Sequence, residues 1–161
     1  MATLPQHPLP GLPGLLDITV THLGPRRVEA VLVVQAAHLA PTGYLHAGTA
    51  VTLADTACGY GCLASLPQGK SGFTTIELKT NHLATANVGQ RLHVVATPIH
   101  EGGTTQVWDA AVTATSPDDH TQSRQIAVFR CTQILLDTRE TKPPPSIGSS
   151  RQRPFADRGK T

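Results

Sequence analysis

No apolar run in the sequence approaches the ~20 residues that a membrane-spanning helix needs. The N-terminus also lacks the basic-then-apolar pattern of a secretory signal, so the expected compartment is the cytoplasm. Three cysteines, Cys58, Cys62 and Cys131, make an odd count without the spacing of a disulfide framework, and are expected to be reduced packing residues. Cys58 and Cys62 stand one helical turn apart, but no second pair with ligand spacing accompanies them. The eight histidines form neither H-x-x-x-H nor H-E-x-x-H, so no metal site is expected. The G-x-S-x-G elbow, the P-loop and the dinucleotide fingerprint are absent too, which removes the commonest hydrolase and nucleotide-binding readings.

What is present suits one domain: 161 residues, 39% of them hydrophobic, are enough for a real core. The net charge of +2 is unevenly spread. Residues 138–161 hold six Lys and Arg against two Asp and Glu, which makes this segment +4 and the preceding body −2. The body is therefore not a nucleic-acid binder by charge. The basic segment is rich in Pro, Ser and Arg and poor in aliphatic residues, the composition of a mobile tail. The expected organisation is a Pro-rich arm over 1–14, a domain over 15–137 and the tail over 138–161.

The arm, "MATLPQHPLPGLPGLL", is expected to be extended or irregular because prolines recur every few residues. "DITVTHL" and "VEAVLVVQA", joined by "GPRR", predict a hairpin. From His46 to about Ala64 there is no Pro, and Val51, Leu53, Ala54, Ala57, Cys58 and Leu63 cover much of a helical circumference, which predicts a helix surrounded by protein. Gly48, Gly59 and Gly61 weaken its intrinsic helicity. Four strands follow, "FTTIELKTNHL", "QRLHVVATPIH", "TTQVWDAAVTAT" and "RQIAVFRCTQILL", whose short connections suit antiparallel neighbours. The predicted class is α+β, a curved antiparallel sheet wrapped around one long central helix.

That helix carries an acid, Asp55, in the middle of its apolar stretch, nine residues after His46. The stretch "GYLHAGTAVTLADTACG" resembles the active-site loop and helix of the hot-dog-fold acyl-CoA thioesterases, in the branch of the phenylacetate-degradation and Arthrobacter-type 4-hydroxybenzoyl-CoA thioesterases. There a His-Gly-Gly turn opens the central helix and an acid follows at the same spacing; here the turn reads His-Ala-Gly. Helix geometry adds a constraint of its own. Nine residues at ~100° and ~1.5 Å each set His46 and Asp55 on opposite sides, ~13 Å apart along the axis, so they cannot act together within one chain. If both are catalytic, the site joins two subunits. The resemblance implies the same homodimer, commonly paired again into a homotetramer.

Thioester hydrolysis needs an activated water or nucleophile and donors aimed at the carbonyl oxygen. The first amides of a helix are such donors, which makes Ala47 N–H and Gly48 N–H the candidates. By resemblance the Ala47 amide is the oxyanion donor, Asp55 the general base or the nucleophile, His46 a positioning residue, and Thr75 the hydroxyl that orients the water, with Thr74 as the alternative by a one-residue shift. Where relatives often carry Gln or Asn six residues before the His, this chain has Ala40, and His38 and Thr42 are the nearby polar candidates. Basic groups for the coenzyme A phosphates are sought among Arg91, Arg124, Arg130 and the amides of residues 100–105. Tyr44, Tyr60, Phe73 and Trp108 are the candidate pocket aromatics. No metal or redox cofactor is implied; coenzyme A enters as part of the substrate. The rival readings are a hot-dog enoyl-CoA hydratase or dehydratase and a non-catalytic acyl-CoA-binding protein.

Overall fold

Alternation of large and small exposure along the strands sets the architecture. In the computed structural model, which describes residues 3–24, 26–116 and 122–138, six strands form one antiparallel sheet. Strands β1 (Thr19–Gly24) and β2 (Arg27–Val33) make the expected hairpin. Helix α2 (Ala47–Ala64) follows, then β3 (Lys70–His82), β4 (Arg91–Glu101), β5 (Thr105–Thr115) and β6 (Ser123–Asp137). Every second residue of β5 is buried, as are Val28, Ala30 and Leu32 of β2 and Leu92, Val94 and Ala96 of β4. These residues line one face of the sheet, and α2 lies against it with Leu53, Ala54, Ala57, Cys58 and Cys62 fully buried. Among the described residues, no helix is long and apolar enough to cross a membrane.

Small residues on both surfaces let helix and sheet approach closely. The Trp108 ring of β5 lies over Gly61, where a Cβ would come within 2.4 Å of a ring carbon, and Phe73 of β3 lies over Gly59 in the same way. The glycines that lower helix propensity are thus the places where aromatic rings enter the helix surface. All three cysteines are buried in the core. Burial pushes the Cys62 thiol up to about 12, and Cys58, against Cys131, is raised as well.

Two expectations need correction. The strand order is β1-β2-β4-β5-β6-β3, so β3 and β4 are not neighbours although only a short loop joins them. The edges of β4 are occupied by β2 and β5, and β3 pairs with β6 at the far end of the sheet. The loop from β3 therefore crosses the sheet end, anchored by Leu83 and Ala84 N–H on Ile126 C=O and by Gly89 N–H on Val34 C=O. The N-terminal segment is also more ordered than an arm. Leu12–Leu15 forms one helical turn, α1, and Leu9 is buried in the core. The basic tail from residue 139 and residues 117–121 of the β5–β6 connection lie outside the described residues.

Candidate active site

The start of α2 is built by the loop before it. Leu39 and Leu45 form an isolated bridge, Ala40 N–H donates to Tyr44 C=O at 2.8 Å, and Gly43 N–H donates to Ala40 C=O at 2.9 Å. His38 C=O then receives both His46 N–H (3.0 Å) and the Thr49 hydroxyl (3.1 Å). Leu45 N–H donates to the Thr85 hydroxyl of the crossing loop at 3.2 Å. The chain is thereby delivered to the helix with His46 as its N-cap, in extended backbone at φ −65 and ψ 131.

The His46 ring is turned back on the helix, where Nδ1 accepts Gly48 N–H at 2.9 Å. A Cβ at residue 48 would stand only 2.9 Å from Nδ1, so Gly48 is what admits the ring. This bond commits the Gly48 amide, one of the two donors expected from the sequence, to its own cap. The Ala47 amide, on an exposed residue at the first helical position, has no carbonyl of the helix behind it to bond.

Further along the helix, Asp55 is half-buried and receives the Thr75 hydroxyl on Oδ1 at 3.2 Å. Burial raises the carboxyl above its ordinary range, and the Thr75 bond lowers it by less. Thr75 faces the helix because of its register in β3, whereas Thr74 points to the exposed face. A bulge at Ile76, between the Thr75 and Glu77 pairings, follows at once. His46 and Asp55 lie at the cap and in the third turn of one helix, so the structure brings Asp55 and Thr75 together and leaves His46 and Ala47 apart from them.

Several sequence candidates have other employment. The His38 ring is buried and accepts Gln35 N–H at 3.1 Å in a capping box, with burial lowering its pKa, so it does not replace the carboxamide missing at Ala40. Thr42 is an exposed turn residue. Arg130 is paired with Asp109 through two bonds of 2.5 and 2.7 Å on the outer face of the sheet. Arg124 donates to Thr85 C=O at 2.7 Å, beside the loop that supports the helix start, and Arg91 is exposed at the start of β4. The turn at 100–105 is closed by Gly102 N–H on Thr105 C=O. Trp108 is 1% exposed and belongs to the core, while Tyr60 and Phe73 are half-buried and Tyr44 is exposed. Sequence reasoning passed over Gln106 and Gln133, both buried on the helix-facing side of the sheet. Their signal was a polar residue in the apolar phase of "TTQVWDAAV" and "RCTQILL".

Residues 42–119 match the family model described as the thioesterase superfamily. The chain is 33% identical over 102 residues to the 1,4-dihydroxy-2-naphthoyl-CoA hydrolase of Escherichia coli (strain K12), covering 62% of this chain and 71% of that protein. Among solved structures, a thioesterase family protein from Silicibacter pomeroyi superposes with a TM-score of 0.69 at 30% identity, covering 76% of this chain and 87% of that one. The PaaI protein from the phenylacetic acid degradation operon of E. coli shares the fold, with a TM-score of 0.66 at 24% identity over 76% of this chain and 81% of its own.

Proposed function

The chain belongs to the thioesterase superfamily and is a thioester hydrolase; we propose that it cleaves acyl-CoA to a free acid and coenzyme A at sites shared between two copies of the chain. The observation that carries this reading is the half-buried Asp55 held by Thr75 on the central helix, at a spacing from the open Ala47 amide that no single helix can bring together.

In this reading Asp55 takes a proton from water as its oxygen attacks the thioester carbonyl carbon. The carbonyl oxygen becomes an oxyanion and accepts the Ala47 N–H of the second copy, at the positive end of that copy's α2. Collapse of the tetrahedral species breaks the C–S bond, and the coenzyme A thiolate takes the proton back from Asp55. A variant in which Asp55 attacks the carbonyl itself and water opens the resulting anhydride uses the same groups. The His46 ring holds the helix start in place rather than moving a proton, which suits its bond to Gly48.

Support for the second copy comes from β3. It is a 13-residue edge strand that, among the described residues, pairs only with β6, and Ile76 (56%) and Leu78 (44%) are exposed on it. A long edge with open backbone groups and apolar side chains invites pairing with another chain. Edge-to-edge association along β3 would set Asp55 and Thr75 of one copy beside the partner's helix start. Arg124, close to that helix start through Thr85, is the best-placed basic group for a coenzyme A phosphate.

The test is release of free thiol from aryl-, arylacetyl- and straight-chain acyl-CoAs by wild type and Asp55→Asn. Wild-type turnover that drops at least ~10²-fold in the variant supports the reading, since a positioned base contributes on that order. Equal turnover in both proteins, or enoyl-CoA hydration in place of thiol release, would sink it.

A further inference from the structure

Gln133 is 0% exposed, and neither its Nε2 nor its Oε1 has a hydrogen-bond partner among the described residues. A buried carboxamide with both ends unmet is costly, and native structures rarely keep one without a use. Its neighbours are fixed by register. On one side Gln133 pairs directly with Thr75 of β3, and on the other with Gln106 of β5. Directly paired residues point to the same face with Cβ atoms about 4.5–5.5 Å apart. Thr75, Gln133 and Gln106 therefore form one polar rung across three strands beneath α2.

The rung offers a partner to each end of the Gln133 carboxamide. The Thr75 hydroxyl spends its only hydrogen on Asp55 and keeps lone pairs that can accept. Gln106 uses Oε1 to receive Trp108 Nε1–H (2.8 Å) and the Ser65 hydroxyl (3.2 Å), and one Nε2–H for Ser65 C=O (3.3 Å), which leaves its second N–H to give. Gln133 has a donor for the first neighbour and an acceptor for the second. We infer that Gln133 is a positioning residue for Asp55: it closes a relay in which Gln106 N–H donates to Gln133 Oε1, Gln133 N–H donates to Thr75 Oγ1, and Thr75 O–H donates to Asp55 Oδ1.

Both links call for the Gln133 side chain to turn toward neighbours that the ladder already holds at rung spacing. The relay gives the Thr75 hydroxyl one direction, and hydrogen bonds in a chain polarise and strengthen one another. Asp55 is thereby held in one rotamer, with its second oxygen directed toward the water. Anchored at the other end on Trp108 and Ser65, the relay ties the carboxylate to the far end of the same helix. The inference rests on the reading of Asp55 as the catalytic carboxylate.

Two measurements test it. In kinetics, Gln133→Met, which keeps length without donor or acceptor, is expected to lower kcat about tenfold with KM unchanged, the effect of one lost hydrogen bond. In a Thr75→Val background the same change is expected to add nothing, because the link it cuts is already absent. In NMR, with side-chain amides assigned in wild type, the Gln133 Nε2–H resonances are expected to shift in Thr75→Val although residue 133 is intact. That second measurement stands even where Gln133→Met fails to fold. Unchanged kcat in a folded Gln133→Met, full additivity with Thr75→Val, or Gln133 resonances indifferent to Thr75→Val would each overturn the relay. Wild-type turnover retained by Asp55→Asn would instead overturn the functional reading, and with it the catalytic meaning of a relay whose NMR link persists.

Discussion

Asp55 is pulled in two directions, up by burial and down by the Thr75 hydroxyl, and burial is the stronger. A carboxyl whose folded pKa lies above its unfolded value adds stability that is full below the unfolded pKa and lost as pH rises through the folded one. At neutral pH the fold therefore carries the cost of an ionised, half-buried carboxylate. Asp55→Asn, which keeps an acceptor for Thr75, is expected to melt higher than wild type at neutral pH, with the gap closing as pH falls through the carboxylate range. Thermal melts of both proteins across that range check the sign. Thr75→Val removes the lowering partner, so the acid limb of kcat should move to higher pH; a pH–rate profile of the variant reads this directly.

The Ala47 amide can be deleted with little harm to the helix. Proline is favoured at the first helical position, where its missing N–H costs no intrahelical bond, and His46 already has the extended backbone that a following proline requires. Ala47→Pro is expected to fold, to bind substrate, and to lose about 10²–10³-fold in kcat, the effect of removing one oxyanion donor. Steady-state kinetics beside a thermal melt would separate that loss from misfolding. The places of Asp55, His46 and the helix start along α2 were legible in the sequence, because spacing along one helix is a local property; the roles proposed for them came from the family resemblance. That Gly48 N–H would be spent on the His46 ring was not, since it depends on how the cap folds back.

At the scale of elements, α2 shows propensity yielding to packing. Gly59 and Gly61 weaken the helix, and replacing Gly61 by Ala would raise intrinsic helicity by about 1 kcal/mol. In place, the new Cβ would stand 2.4 Å from the Trp108 ring, whose Nε1 is tied to Gln106 and which is almost fully buried. Overpacking of that kind costs about 1–3 kcal/mol, so Gly61→Ala is expected to lower stability despite the better helix former. Urea unfolding of the two proteins decides it. The strands were readable for a similar reason: period-2 alternation in β2, β4 and β5 reflects one covered face and is written residue by residue. Strand order was not. The eight-residue β3–β4 loop, 83–90, crosses the sheet end instead of joining neighbours, because both edges of β4 are taken.

At the scale of the whole molecule, one chain holds each half of the proposed chemistry at a different place on α2. Two inactive variants should therefore repair each other. When Asp55→Asn and Ala47→Pro are mixed and allowed to exchange subunits, half the dimers are mixed, and each of those has one intact site, for about a quarter of wild-type activity. Sites confined to one chain would give no recovery. Light scattering alongside the assay would show whether activity tracks the dimer, and Ile76→Glu, on the exposed edge strand, is expected to weaken both together.

By itself the sequence determined what is encoded locally: the central helix and its bounds, the alternating strands, and the presence of an acid where a buried helix has no packing use for one. Only the tertiary structure decided what depends on residues far apart in the chain. It selected Thr75 over Thr74 as the hydroxyl on Asp55, drew Trp108 into the core and Arg130 to the outer face, and set Gln106, Gln133 and Thr75 in one rung. The physical reason is register. A strand's pattern says which residues share a face, but which residues meet across strands is set by pairings that close only when the sheet wraps the helix.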